Sequence, residues 1–269
     1  MRKQFLYLWY MKLKRIIEVI ERRAPLSYQE DYDNSGLQVG FPESEIHSVL
    51  VCLDVTEEVM EEAAMLGCQL VVSHHPLLFH SLKQVSDATY QQRCVVGALN
   101  DGIAVYSAHT SLDNAPSGVN HRMAAMLGLR DVEWLEAHSD GRSGSGMVGY
   151  LPRRISALKF FDIVKNTFRV PDLHHSAFTP GRKIKRVALC GGAGASLIPK
   201  AMEAGADCFI TGEIHYHDWF ECGDMLLAEL GHYQSERHAI ELLRDIVRDS
   251  CPDLKVIVTH TNTDPIRHL

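Results

Sequence analysis

At 269 residues the chain is long enough to bury a sizeable core, in one large domain or two small ones. Its content of 46% hydrophobic and 23% charged residues is that of an ordinary globular protein, with no low-complexity tract and no transmembrane run. A formal net charge of −7 with scattered basic residues leaves no electrostatic footprint for nucleic acid, and seven cysteines without a C-x-x-C pair read as reduced, buried thiols of a cytosolic protein.

The first ten residues, "MRKQFLYLWY", hold too short an apolar run for a signal sequence and no small-residue cleavage site, so 1–10 reads as an extension ahead of the fold. A helix is predicted over 12–23, stopping at Ala24-Pro25, and the loop "DYDNSGLQVG" comes after it. Next come a strand at 47–53, a helix at about 56–66, and a strand at 69–73 that runs into His74-His75. A helix at 87–100 precedes a strand at 103–107 that runs into "AHTSLDNAPSG". After a helix at 118–127 and a strand near 133–138, the Gly/Ser-rich "SDGRSGSGMVGYL" reads as a domain crossing. Alternating strands and helices give an α/β architecture.

The second half echoes the first. "VLVCLDVTEEVMEEAAMLGCQLVVSHH" and "VALCGGAGASLIPKAMEAGADCFITGE" both read as strand, turn, helix, glycine, strand and polar exit. Cys52 matches Cys190 and Gly67 matches Gly205 at one offset of 138 residues (190 − 52; 205 − 67), which supports two similar βαβ-like units. Thr211-Gly212-Glu213 then stands where the first half has Ser73-His74-His75. Open α/β sheets place their sites at such strand exits.

Three segments offer metal-ligating groups: His74-His75 after one strand, His109 and Asp113 after another, and His232 with Glu236 at i and i+4 on one helix face. Imidazole and carboxylate without thiol suit Zn, Mn, Fe, Co or Ni better than Ca or Mg. Adjacent strand residues point to opposite faces, so His74 and His75 reach one ion only if the backbone turns; two ions bridged by a carboxylate suit them better. "HYHD" at 215–218 reads as an amphipathic helix, either supporting the ligands from behind or on the surface, and His174-His175 as structural. "CGGAGAS" at 190–196 is either an anion-cradling turn or a plain strand-to-helix turn.

Taken together, "DNSGLQVG" at 33–40, "SHHPLLF" at 73–79, "AHTSLDNAPSGVN" at 108–120, "TGE" at 211–213 and "GHYQSE" at 231–236 resemble the Nif-three-like family, whose members carry the label GTP cyclohydrolase I type 2 homolog. The resemblance starts near residue 12, keeps motif order and spans nearly the whole chain; Tyr32 stands where members often have tryptophan. It implies two similar interlinked α/β lobes with a metal site in the cleft between them, residues 11–130 plus 229–269 forming the metal-binding lobe and 131–228 an inserted one. It implies two divalent cations on His74, His75, Asp113, His232 and Glu236, with Glu236 as the bridge and His109 as a ligand or a ligand's partner. A catalytic role then falls to His109 and Glu236, and contact with substrate to Glu213. A ring-shaped homohexamer in the cytoplasm is also implied. The resulting expectation is a dinuclear metal-dependent hydrolase acting on a nucleotide or heterocyclic ring of unknown identity. The alternative is a non-catalytic metal-binding adaptor or metal chaperone working through its oligomeric surface.

Overall fold

The computed structural model describes residues 10–267, so all of the anticipated 1–10 extension except Tyr10 lies outside the described residues. A short strand, β1 (Met11–Lys12), leads into α1 (Leu13–Arg23). Leu13, Ile16, Val19 and Ile20 recur at helical spacing and are its buried residues; Arg22 and Arg23 suit its negative end. β2 (Gly36–Val39), β3 (Glu45–Ile46) and β4 (Ser48–Cys52) come next. The Thr56 hydroxyl accepts the Val59 amide to start α2 (Glu57–Met65), which precedes β5 (Leu70–Ser73). Thr89 caps α3 (Tyr90–Asp101) in the same way, ahead of β6 (Ala104–Ser107), α4 (Thr110–Asp113) and α5 (Val119–Met126). Then come β7 (Arg130–Ala137), β8 (Gly144–Ser156), α6 (Ala157–Phe168), β9 (His174–His175) and β10 (Lys183–Leu189). The chain closes with α7 (Ile198–Glu203), β11 (Cys208–Thr211), β12 (Leu226–Glu229), α8 (His232–Glu236), α9 (Ala239–Ser250) and β13 (Lys255–Val258).

The chain divides into two compact units. The first takes the residues up to Ser111 with Ala239–Thr263. Its five-stranded sheet runs β13-β4-β5-β6-β2, parallel except for β2, which is antiparallel to β6. Every residue of β4 and β5 is buried, which is why they read as unbroken apolar runs. Parallel pairing sets the carboxyl ends of β13, β4, β5 and β6 along one edge, where β2, running the other way, begins.

The second unit takes Leu112–His238 with the residues from Asp264 onward. These limits differ from the 131–228 insert expected from sequence, because α5 packs on β8 and β10. Its six strands run β7-β8-β10-β11-β12-β9, with β10, β11 and β12 parallel. Val187, Leu189, Ile210 and Ala228 face one core with Phe160 and Phe168; Ala188, Phe209 and Leu227 face the other with Ile198 and Met225. That alternation is the period of two of a sheet covered on both sides.

The Gly/Ser-rich stretch read as a crossing is instead a β-hairpin inside the second unit, with Glu136 opposite Ser145 and Trp134 opposite Met147. Small residues are needed there for close approach, since a Cβ on Gly144 would sit 2.7 Å from the Trp134 ring. The internal repeat is real in register. Val49 pairs with Leu70 and Val187 with Cys208, an offset of 138 at both positions (187 − 49; 208 − 70). Six of the seven cysteines are buried thiols and Cys190 is half-buried. Among the described residues no helix is long and apolar enough to cross a membrane.

Candidate metal centre

β5 ends at Ser73, and the backbone beyond it is no longer strand: the His74 and His75 amides both donate to the Leu53 carbonyl, at 3.2 and 2.9 Å. The ladder has stopped, so the rule that sends neighbouring side chains to opposite faces no longer holds. The His74 and His75 ring centroids are 5.0 Å apart, and His109, just past β6, lies 5.4 Å from each. One nitrogen from each ring falls within 4.8 Å of the others. Hydroxyls of Ser73 (2.8 Å) and Ser107 (3.3 Å) hold the His75 carbonyl from below.

Each imidazole is held by Nδ1. His74, fully buried, donates to the Ala108 carbonyl at 2.8 Å. His75 donates to Asp54 Oδ1 at 2.6 Å, and His109 to Asp33 Oδ1 at 2.7 Å. An imidazole that donates from Nδ1 keeps its lone pair on Nε2, the arrangement of metal-ligating histidines. Burial works to raise the Asp33 carboxyl, but hydrogen bonds from His109, Thr110 and the Asn34 amide outweigh it and hold it well below the usual carboxylate range. Burial likewise opposes ionisation of Asp54, yet the His75 and Thr263 hydrogen bonds bring it below its ordinary value. Both aspartates are therefore anions that draw on the far side of an imidazole.

The second unit assembles carboxylates. His232 opens α8 with Nδ1 2.9 Å from Glu213 Oε1 and Nε2 3.0 Å from Glu236 Oε2. Glu236 is only 4% exposed. Its ligand oxygen also lies within 4.8 Å of one from Asp113, at the end of α4, so a single buried carboxylate serves both neighbours. The "CGGAGAS" turn makes this possible: Gly192 has φ +60°, and a methyl there would collide with Glu236 Oε1. The Gly192 amide donates to Ser235 Oγ at 3.0 Å, tying the turn to α8. This turn thus receives a side chain of its own chain.

The first unit therefore brings together His74, His75 and His109, and the second Asp113, His232, Glu236 and Glu213. Elsewhere, "HYHD" lies on a short 3-10 helix, Tyr216–Phe220, with Tyr216 and Phe220 more than two-thirds exposed. His174 bonds Glu229 at 2.8 Å and His175 stacks on Phe161. Sequence reasoning missed Asp54 and Thr263; it quoted Asp33 without giving it a role, and it singled out the turn that holds Gly191 and Gly192 without seeing that it makes room for Glu236. Asking which polar residue comes after each parallel strand finds Asp54 after β4.

The donor set fits a late first-row divalent cation: imidazole and carboxylate, preset tautomers and no thiol. Bonds of ~2.0–2.2 Å put donors on one ion no more than ~4.4 Å apart, close to the spacing seen.

A family model for Duf34/NIF3 (NGG1p interacting factor 3) matches residues 11–265. The chain belongs to this family. A Clostridium perfringens relative named GTP cyclohydrolase 1 type 2 homolog is 32% identical, over 96% of this chain and 100% of its own length. A Lactococcus lactis relative of the same name is 35% identical, over 95% and 98%. The fold is that of a Bacillus cereus protein related to NIF3, with a TM-score of 0.89 at 21% identity over 96% of this chain and 99% of that one. The Duf34/NIF3 α/β fold expected from the motifs is thus present, together with histidine and glutamate groups able to bind metal.

Proposed function

We propose that this Duf34/NIF3 protein is a dinuclear metal-dependent hydrolase, with His74, His75, Asp113, His232 and Glu236 as the ligands of two divalent cations. The observation that carries the reading is the buried Glu236 carboxylate, within reach of both His232 and Asp113 and given room by Gly192. Supporting it are imidazoles whose Nδ1 atoms donate to fixed acceptors, which puts the lone pair on Nε2, the atom that would meet a Lewis acid. A buried carboxylate shared in this way is suited to bridge two ions, whose mutual repulsion it offsets. Bound divalent cations supply Lewis acidity and neutralise developing negative charge.

This chain's own residues do the rest. His109, oriented by Asp33 and 15% exposed, moves a proton to or from the reacting group through Nε2. Glu213, half exposed beside His232, contacts substrate. Phe79 lies 6.0 Å from His109, with Tyr32 6.4 Å beyond it, and both rings are open to solvent. Aromatic rings beside the proton-transfer group favour a planar heterocyclic or nucleotide substrate, as does the name the relatives carry. The cations are drawn from Zn, Mn, Fe, Co and Ni, and the working form is a cytoplasmic homohexamer.

The test is metal counting. Chelator-stripped protein titrated with Zn(II) should take up two equivalents by elemental analysis. Glu236→Gln keeps the shape and removes the charge, so both sites should weaken together, whereas Asp113→Asn should weaken mainly one. Two ions bound by Glu236→Gln as tightly as by the parent would end the bridging assignment. Metallated protein should hydrolyse GTP or a related heterocycle and stripped protein should not; identical behaviour of the two would end the hydrolase reading.

A further inference from the structure

Past β13, the Thr263 hydroxyl donates to Asp54 Oδ2 at 2.6 Å. Past β4, the other oxygen of Asp54 accepts His75 Nδ1 at 2.6 Å. The segment that delivers Thr263 is itself clamped. Glu62 of α2, only 8% exposed, accepts the amides of His260 (2.8 Å) and Thr261 (3.4 Å), the Thr261 hydroxyl (2.9 Å) and the Thr259 hydroxyl. The Thr259 amide meanwhile extends the β4 ladder by donating to the Val51 carbonyl at 2.9 Å. Four donors from three consecutive residues on one buried carboxylate make a fixed anchor, because each donor lost would leave desolvated charge uncompensated.

We infer that the segment Thr259–Thr263 positions His75: it locks Asp54, which fixes the Nδ1–H tautomer of His75 and strengthens its Nε2 as a donor toward a divalent cation. The inference rests on the metal-binding reading above. Asp54 is one-third exposed, so without Thr263 its second oxygen turns to water and the carboxylate gains rotational freedom. His74, by contrast, donates to a neutral backbone carbonyl. An anionic carboxylate behind His75, against a neutral carbonyl behind His74, makes the His75 Nε2 the stronger donor toward a cation, and the segment after β13 sets that difference. Thr263 and Asp54 touch no reacting atom in this scheme; they are positioning residues.

Two readouts test it. In metal-free protein labelled with ¹⁵N-histidine, the parent should show His75 as the Nδ1–H tautomer. Asp54→Ala and Thr263→Val should lose that dominance, and Thr263→Ser should restore it. In Zn(II) titrations against a competing chelator, Asp54→Ala should weaken one of the two sites by roughly 10–100-fold. Thr263→Val should weaken the same site by a smaller factor, and Thr263→Ser should match the parent. Thr263→Val lies beyond the last strand and guards against a variant that fails to fold. Parent-like tautomer and affinity in Asp54→Ala and Thr263→Val would overturn the inference, even if thermal stability fell. A parent that binds no zinc would instead sink the metal reading, and the positioning claim would then stand or fall on the tautomer alone.

Discussion

The turn after β4 and the turn after β10 are equivalent places in two units whose strand registers agree at a separation of 138 residues, yet one holds Asp54 and the other Gly192 (192 − 54). In the first unit the side chain at this place reaches out and holds His75. In the second, the missing side chain lets Glu236 of α8 enter. A strand exit can serve a metal site by supplying a group that orients a ligand or by withholding one so that a ligand fits. The shared scaffold explains where both sets of candidate ligands sit; the chemistry differs by what projects from it.

The sharpest way to break this comparison is to refill the second turn. Gly192→Ala puts a methyl onto Glu236 Oε1 at a backbone position with φ +60°. The backbone strain alone costs about 1–2 kcal/mol. Displacing the shared carboxylate should cut metal affinity by roughly 100-fold, the upper end of what disturbing a ligand's support costs. Zn(II) titration with circular dichroism as a folding check measures it. Parent-like affinity in a folded variant would show that the glycine is not what makes room for the ligand.

A smaller effect separates the two helices behind these turns. Glu62 and Lys200 are equivalent at the same offset (200 − 62), but Glu62 is buried under the 259–261 segment, whereas Lys200 is 44% exposed and only 3.7 and 3.6 Å from Glu136 and Glu203. Burial raises the Glu62 carboxyl, but the amides and hydroxyls of residues 259–261 outweigh it and hold it below its ordinary value. A carboxyl depressed in the folded state adds stability above its unfolded pKa of about 4.3 and loses it as pH falls through the folded value. Glu62→Gln should therefore cost roughly 2 kcal/mol at neutral pH. The gap in Tm from the parent should narrow as pH drops below about 4. Lys200→Gln should change stability by less than about 0.5 kcal/mol at any pH, as an exposed pair does. A Tm gap for Glu62→Gln that ignores pH would show the charge is not what anchors the segment.

Much of the scaffold was legible in the sequence because it obeys local rules. The helices expected at about 56–66 and 87–100 lie close to α2 and α3, and Leu70–Ser73 reads as a buried strand because every side chain is covered. His74, His75, His232 and Glu236 were legible as candidates because such groups rarely gather at strand exits and helix starts without a reason. The supports were not. Asp54 and His75 are 21 residues apart and meet only through parallel strand pairing, and Thr263 reaches Asp54 from 209 residues away. The turn that holds Gly192 stood out as glycine-rich, but that it makes room for Glu236 shows only once the two are seen together. The β7–β8 hairpin was misread because small residues imply freedom locally, while here they admit the Trp134 ring.

The smallest expected effect tests whether the two units are equivalent where neither has a site to build. α2 ends with Gly67 donating to Ala64 at 3.1 Å and Cys68 to Ala63 at 2.9 Å; α7 ends with Gly205 donating to Met202 at 2.8 Å and Ala206 to Ala201 at 3.0 Å. This is one closing motif used twice, with glycine φ of +64° and +67° and nothing within 4 Å of a Cβ at either position. Alanine at either glycine meets no neighbour, so the cost is that of the left-handed backbone alone, about 1 kcal/mol. Gly67→Ala and Gly205→Ala should therefore destabilise by the same amount within ~0.5 kcal/mol, and metal affinity should not move in either. Gly67→Asn and Gly205→Asn should cost less than alanine, because asparagine visits this region more readily. Chemical denaturation of the four variants decides the matter. A cost near zero at one glycine and several kcal/mol at the other would mean the repeat is one of strand register only, not of energetics.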